Sequence, residues 1–190
     1  MKKKPPSVKS KSAPTHPAVS APPQLSHVGP AGGAMMVDVS LKPVTRRIAT
    51  AQAYVSISAE LLAAIGQNTL KKGDLIATAR IAGITAAKRT AELIPLCHSL
   101  PLDYVEVTIM QSPAGEHVSR PRLVITATAC ASARTGVEME ALTAAAVAAL
   151  TVLDMGKAID KNITISDLRV IEKQGGSSGH WRLSSAVPAA

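Results

Sequence analysis

The chain contains no phenylalanine, and its aromatic residues are Tyr54, Tyr104 and Trp181 alone among 190. A core without large rings has to be assembled from Ala, Val, Ile and Leu, close-packed like any protein interior. The same scarcity removes the stacking platforms on which binders of single-stranded nucleic acid rely. Cysteine occurs twice, at Cys97 and Cys130, with no CxxC spacing. Two cysteines cannot make a disulfide framework, and a reducing cytoplasm is the expected setting. No charge-free run of about 18 apolar residues occurs, so no membrane span is expected. The apolar stretch 141–153 is short and flanked by Glu140 and Asp154. The N-terminus is basic but lacks the apolar segment of a secretory signal.

Acidic residues are absent from positions 1–34, which hold Lys2, Lys3, Lys4, Lys9 and Lys11 and seven of the thirteen prolines. The net charge of +8 therefore resides mainly in this stretch. Such a composition cannot bury enough apolar surface to offset the entropy of ordering. The expected organisation is a disordered basic tail at 1–34, one folded domain at 35–182 and a flexible C-terminal tail at 183–190. The basic tail reads as a solubilising extension, with a nucleic-acid or partner-binding arm as the alternative. The domain itself is only modestly basic, and nucleic acid is not an expected partner.

Within the domain, β-branched alternation predicts a strand over 46–56 and Ser58 a cap for a short helix over 59–66. A helix follows from the Lys71-Lys72-Gly73-Asp74 turn to residue 93, where Pro95 stops it. Ala79, Ala82, Gly83, Ala86 and Ala87 give that helix a small-residue face suited to close packing. Strands are predicted over 102–111 and 122–131, joined by a Pro/Gly-rich loop at 112–121. Thr135 and Glu138 have the spacing of a capping box before a helix running to about residue 160. A last strand spans 163–173. The order β-α-α-β-β-α-β predicts an α+β, ferredoxin-like domain: an antiparallel sheet with helices on one face.

At 100° per residue, Glu140, Thr143, Thr151 and Asp154 share one stripe of the long helix, and Lys157 follows one turn on. Leu142, Ala146, Ala149, Leu150 and Leu153 are the expected core side. An Asp–Lys pair can donate and accept protons when its surroundings separate the two pKa values, and it can equally be a solvated ion pair. Glu138 reads as a cap or as a catalytic carboxylate. Cys97-His98 lacks the partner spacing of a zinc site. His98 therefore reads as a hydrogen-bonding or acid–base group, or as an ordinary loop histidine. Lys173 precedes a Gly/Ser run whose backbone N–H groups can cradle an anion. Lys42, Arg46, Arg47, Lys71, Lys72, Arg80, Lys88 and Arg89 are further cations for a phosphate-rich ligand.

Longer strings go further. Met36-Val37-Asp38-Val39-Ser40, Ala79-Arg80-Ile81-Ala82-Gly83-Ile84, Leu93-Ile94-Pro95-Leu96-Cys97-His98, Thr135-Gly136-Val137-Glu138-Met139-Glu140-Ala141-Leu142-Thr143 and Asp154-Met155-Gly156-Lys157-Ala158 follow one another in order. From about Met36 to Trp181 the chain resembles the molybdenum cofactor biosynthesis protein C family of cyclic pyranopterin monophosphate synthases. The resemblance implies a lyase that converts 3′,8-cyclo-7,8-dihydro-GTP into cyclic pyranopterin monophosphate and pyrophosphate. It implies a homohexamer, a trimer of dimers, with the active site at a subunit interface. By the same resemblance Asp154, Lys72 and Lys157 are catalytic. Leu96, Cys97, His98, Met139, Glu140, Lys42, Arg47 and Lys173 bind substrate. No cofactor or protein-bound metal is required, though magnesium can accompany the substrate's phosphates. Three departures stand out: Gly156 where the family has Cys, Ser177 where it has Lys, and Ser99 where Pro is common. The competing readings are a non-catalytic nucleotide- or RNA-binding module and a metal-dependent hydrolase.

Overall fold

The computed structural model describes residues 32–112, 120–177 and 179–184. All but the last three residues of the expected tail at 1–34, most of the 112–121 loop and most of the C-terminal tail lie outside them. The elements are β1 (Thr45–Ser56), α1 (Ala59–Gly66), α2 (Leu75–Ala87), α3 (Thr90–Leu93), β2 (Tyr104–Gln111), β3 (Arg122–Ala133), α4 (Glu138–Gly156), β4 (Thr164–Gln174) and β5 (His180–Arg182). They form one antiparallel sheet in the order β2-β3-β1-β4-β5, with α2 and α4 stacked on one face. Its first four strands follow the β-α-β-β-α-β connectivity expected from the sequence. β5 was not expected; it adds three residues to the edge, pairing Lys173 with Trp181.

Alternation decides which face is covered. Ala49, Ala51, Ala53 and Val55 of β1 are fully buried, as are Ile125, Ala127, Ala129 and Ala131 of β3. The opposite face is polar: the Thr50 and Thr128 hydroxyls lie 3.0 Å apart, and Gln52 donates to Thr126 at 3.3 Å. α4 covers the sheet with Ala141, Ala144, Ala145, Ala148, Ala149 and Val152, all fully buried. This corrects the expected core side of that helix. Leu150 is 56% exposed, while Glu140 and Thr143 of the polar stripe are buried. α4 is long and apolar (mean hydropathy 1.4), as the buried core helix of a domain can be. Its apolar face is the core of the domain.

Three local expectations also change. The helix expected over 71–93 is two helices. Asp74 caps the first through the Ala77 amide at 2.9 Å, and its chain turns away at Lys88 and Arg89. The Thr90 hydroxyl donates to the Ala87 carbonyl at 3.0 Å, closing that end. The capping box does not form: Val137 holds the cap position with no side-chain bond, and the Thr135 hydroxyl donates to the Gly136 carbonyl. Glu138 is drawn instead to Lys173. Gly156 is closely packed, since a Cβ there would lie 2.6 Å from Leu61 and 2.9 Å from Ile163.

Asp160, 5% exposed, ties the sheet ends together. Its carboxylate accepts from the Ser58 amide at 2.7 Å, the Asn162 amide at 2.9 Å and the Arg120 guanidinium. α2 approaches α4 closely at Gly83, where a Cβ would lie 2.8 Å from the Ala144 carbonyl oxygen and 3.1 Å from Val107. Helix propensity alone makes Gly83→Ala stabilising by about 1 kcal/mol. Overpacking against backbone reverses the sign, and a net loss of about 1–3 kcal/mol is expected in urea denaturation. A raised midpoint would show that α2 does not approach α4 so closely.

Candidate active site

α2 and α4 run antiparallel, since Gly83 meets Ala144 and Ala148 while Lys72, before α2, reaches Asp154 near the end of α4. A left-handed turn at Gly73 (φ 91°), with its amide bonded to the Leu70 carbonyl, delivers Lys72 there. Lys72 Nζ donates to Asp154 Oδ2 at 2.7 Å and to the Asp154 carbonyl at 2.9 Å. Lys157 Nζ holds Oδ1 at 2.7 Å from the next helical turn. The three side chains are half exposed. Hydrogen bonds from Lys157 and then Lys72, reinforced by their charges, pull the Asp154 carboxyl down to about 2. One carboxylate thus holds two ammonium groups at a solvent-accessible surface.

The remaining candidates gather at the other end of α4, around two adjoining cavities that share Thr135, Gly136 and Glu138. One, of about 220 Å³, is lined by Leu96, Cys97, His98, Met139 and Glu140. Burial pushes the Glu140 carboxyl up, and the charge of Glu138 adds to the effect. Burial also raises the Cys97 thiol, with Glu140 contributing, which disfavours a thiolate nucleophile. His98 Nε2 lies 2.9 Å from the Val37 carbonyl. A carbonyl only accepts, so this nitrogen carries the proton and Nδ1 is the acceptor of the neutral ring. The segment after Met36 therefore orients the histidine.

The second cavity, of about 230 Å³, is lined by Lys42, Arg47, Lys173 and Arg134, with Glu138 its one acidic lining residue. Glu138 bonds Lys173 at 3.1 Å. Gly175 and Gly176 have left-handed backbones (φ 98° and 72°) and press on Arg47; a Cβ on Gly176 would overlap its guanidinium. Ser177 lines this cavity as well. Trp181 and Val170 border the Glu138–Lys173 pair on its apolar side. Sequence reasoning missed Arg134, which lies just outside the helical pattern and carries no spacing signal.

The predicted residues thus form two groups. Asp154 lies fourteen residue steps along α4 from Glu140, and at 1.5 Å per residue that is about 21 Å. The stripe expected from Glu140 to Asp154 therefore joins, within one chain, two separate clusters. Among the described residues no three of His, Cys, Asp and Glu converge as a metal centre. Cys97 and Cys130 are both free.

The MoaC family model matches residues 36–176. Cyclic pyranopterin monophosphate synthase of Rhodospirillum rubrum is 49% identical over 170 residues, covering 90% of this chain and 99% of the relative. Cyclic pyranopterin monophosphate synthase 3 of Mycobacterium bovis is 55% identical over 85% of this chain and 88% of its own length. The synthase of Thermomicrobium roseum is 52% identical over 84% and 93%.

The Asp154 pairing has a direct readout. In a carboxyl-carbon NMR titration Asp154 should titrate near pH 2, and Lys157→Met or Lys72→Met should move the midpoint back toward 3.8. The folded-state value is depressed, so the stabilisation is complete above about pH 3.8 and fades as pH falls through 2. A midpoint near 3.8 in the unaltered chain would mean that the lysines do not hold the carboxylate.

Proposed function

The chain belongs to the MoaC family, and on that premise we propose that it is a lyase converting 3′,8-cyclo-7,8-dihydro-GTP into cyclic pyranopterin monophosphate with release of pyrophosphate. The observation that carries the assignment of roles is the Lys72–Asp154–Lys157 cluster. Rearrangement of the cyclised nucleotide requires protons to leave and arrive at several atoms. Closure of the cyclic phosphate requires a hydroxyl to attack the α-phosphorus while pyrophosphate departs.

Lys72 and Lys157 are the proton donors and Asp154 the acceptor in this reading. With both lysines bound, the Asp154 carboxylate is a weaker base than an ordinary aspartate. Substrate contacts that draw the lysines away would raise its basicity. The cavity of Lys42, Arg47 and Lys173 takes the phosphates, where fixed cations stabilise the charge growing on the leaving pyrophosphate. Leu96, Cys97, His98, Met139 and Glu140 contact the pterin-forming part. Glu138 is the carboxylate nearest the phosphate cavity and already bonds Lys173. A magnesium ion would thus ride on the substrate's phosphates, without a protein cage.

The separation of about 21 Å between the clusters supports a site completed by another copy of the chain. The assembly we propose is a homohexamer, three dimers, with each active site at an interface. Ile81 and Leu150, 65% and 56% exposed on α2 and α4, offer apolar surface for such contacts. The free cysteines accord with a cytoplasmic setting.

Two experiments test this. Asp154→Asn should lower pyrophosphate release at least 100-fold while assembly size stays unchanged and melting temperature falls only by what the lost ion pairs contribute. A near-normal rate would remove Asp154 from the chemistry. Asp154→Asn and His98→Ala chains, each inactive alone, should regain turnover when co-assembled, because some interfaces then receive both intact clusters. Persistent inactivity of verified mixed assemblies would place the whole site within one chain.

A further inference from the structure

We propose that Arg134 is a polyphosphate-binding residue that also locks Lys42 and Arg47 into the cationic cavity. Three contacts carry the inference. Arg134 Nε donates to the Lys42 carbonyl at 3.1 Å, which folds an otherwise exposed side chain back to the cavity wall. The Arg134 carbonyl accepts from Arg47 Nη2 at 3.4 Å. Gly176 supports the other side of the Arg47 guanidinium, where a Cβ would lie 1.7 Å from Nη1. Arg47 is thus clamped, and among the described residues its buried Nε has no partner.

The arrangement leaves donors unspent. Among the described residues, neither terminal nitrogen of Arg134 has a protein partner, nor does the Lys42 ammonium. Four cations face one carboxylate, and that carboxylate is engaged with Lys173. A compact ligand with several negative oxygens satisfies this cluster, and a guanidinium can take two of those oxygens at once. Arg134 is therefore more than a clasp between the residue 42 turn and the end of β3. It also supplies positive charge to a wall where position 177 carries only a serine hydroxyl.

The choice of ligand rests on the proposed reaction, whose leaving group is pyrophosphate. The test is calorimetric titration of the full-length protein with inorganic pyrophosphate, alongside melting curves and turnover of the cyclised nucleotide. Arg134→Gln should weaken pyrophosphate about tenfold, the usual scale of one charge-assisted hydrogen bond, and flatten the salt dependence. Arg134→Lys should fall between the unaltered chain and Arg134→Gln, because it keeps the charge and loses the bidentate fork. Ser177→Lys should tighten binding several-fold. Two outcomes with the variants would overturn the proposal. One is Arg134→Gln binding within twofold of the parent. The other is Arg134→Lys weakening as much as Arg134→Gln with an equal fall in melting temperature, the mark of a clasp alone. Turnover by the parent without pyrophosphate binding would sink the subsite and leave the reaction standing. Intact pyrophosphate binding without turnover would sink the reaction alone.

Discussion

Where Gly83 crosses α4, the carbonyl oxygen of Ala144 occupies space that a side chain would otherwise claim. That approach lets two helices lined by alanine lie close together on a sheet whose inner face is also largely alanine. Without aromatic rings to fill gaps, packing density comes from proximity. The site depends on the same proximity. Lys72 precedes α2 and reaches Asp154 only because the antiparallel pair is close enough for one lysine side chain to bridge it. A bulkier face on either helix would part the ammonium from its carboxylate before it disturbed the sheet.

The two ends of α4 hold opposite electrostatic situations. At the C-terminal end, Asp154 is exposed and strongly stabilised in its ionised form by two lysines. At the N-terminal end, Glu140 is buried and pushed toward the neutral form. One helix therefore presents a carboxylate that resists protonation and another that favours it. Separated environments of this kind are how a protein assigns different proton roles to chemically identical groups. The cationic cavity beside Glu138 lies remote from Asp154 on the same chain.

Position 156 shows how a departure from the family pattern is absorbed. Gly156 lies against Leu61 and Ile163, so the space near the helix end is filled by neighbouring aliphatic groups. Asp154 and Lys157 keep their pairing across this glycine because α4 stays helical to Gly156 and Lys157 has helical dihedrals.

Much of the fold was legible in the sequence because its signals are local. Strand patterning found β1, β2 and β3, a strand was also expected where β4 lies, and Ser58 marked α1, since these patterns follow from the geometry of neighbouring residues. β5 escaped, as three residues held by pairing with β4 carry no pattern of their own. The capping box failed because Lys173, 35 positions away, competes for Glu138. Leu150 was assigned to the core side by helical periodicity, yet it faces outward while alanines take the interior. The residue strings determined the family, and spacing alone determined that Asp154 and Lys157 would meet one turn apart. The addition of Lys72 to that pair, the clamp on Arg47 and the distance between the two clusters were decided by tertiary structure. Each depends on segments that packing unites across 80 or more residues, or on the length of a rigid helix, and neither is written in local sequence.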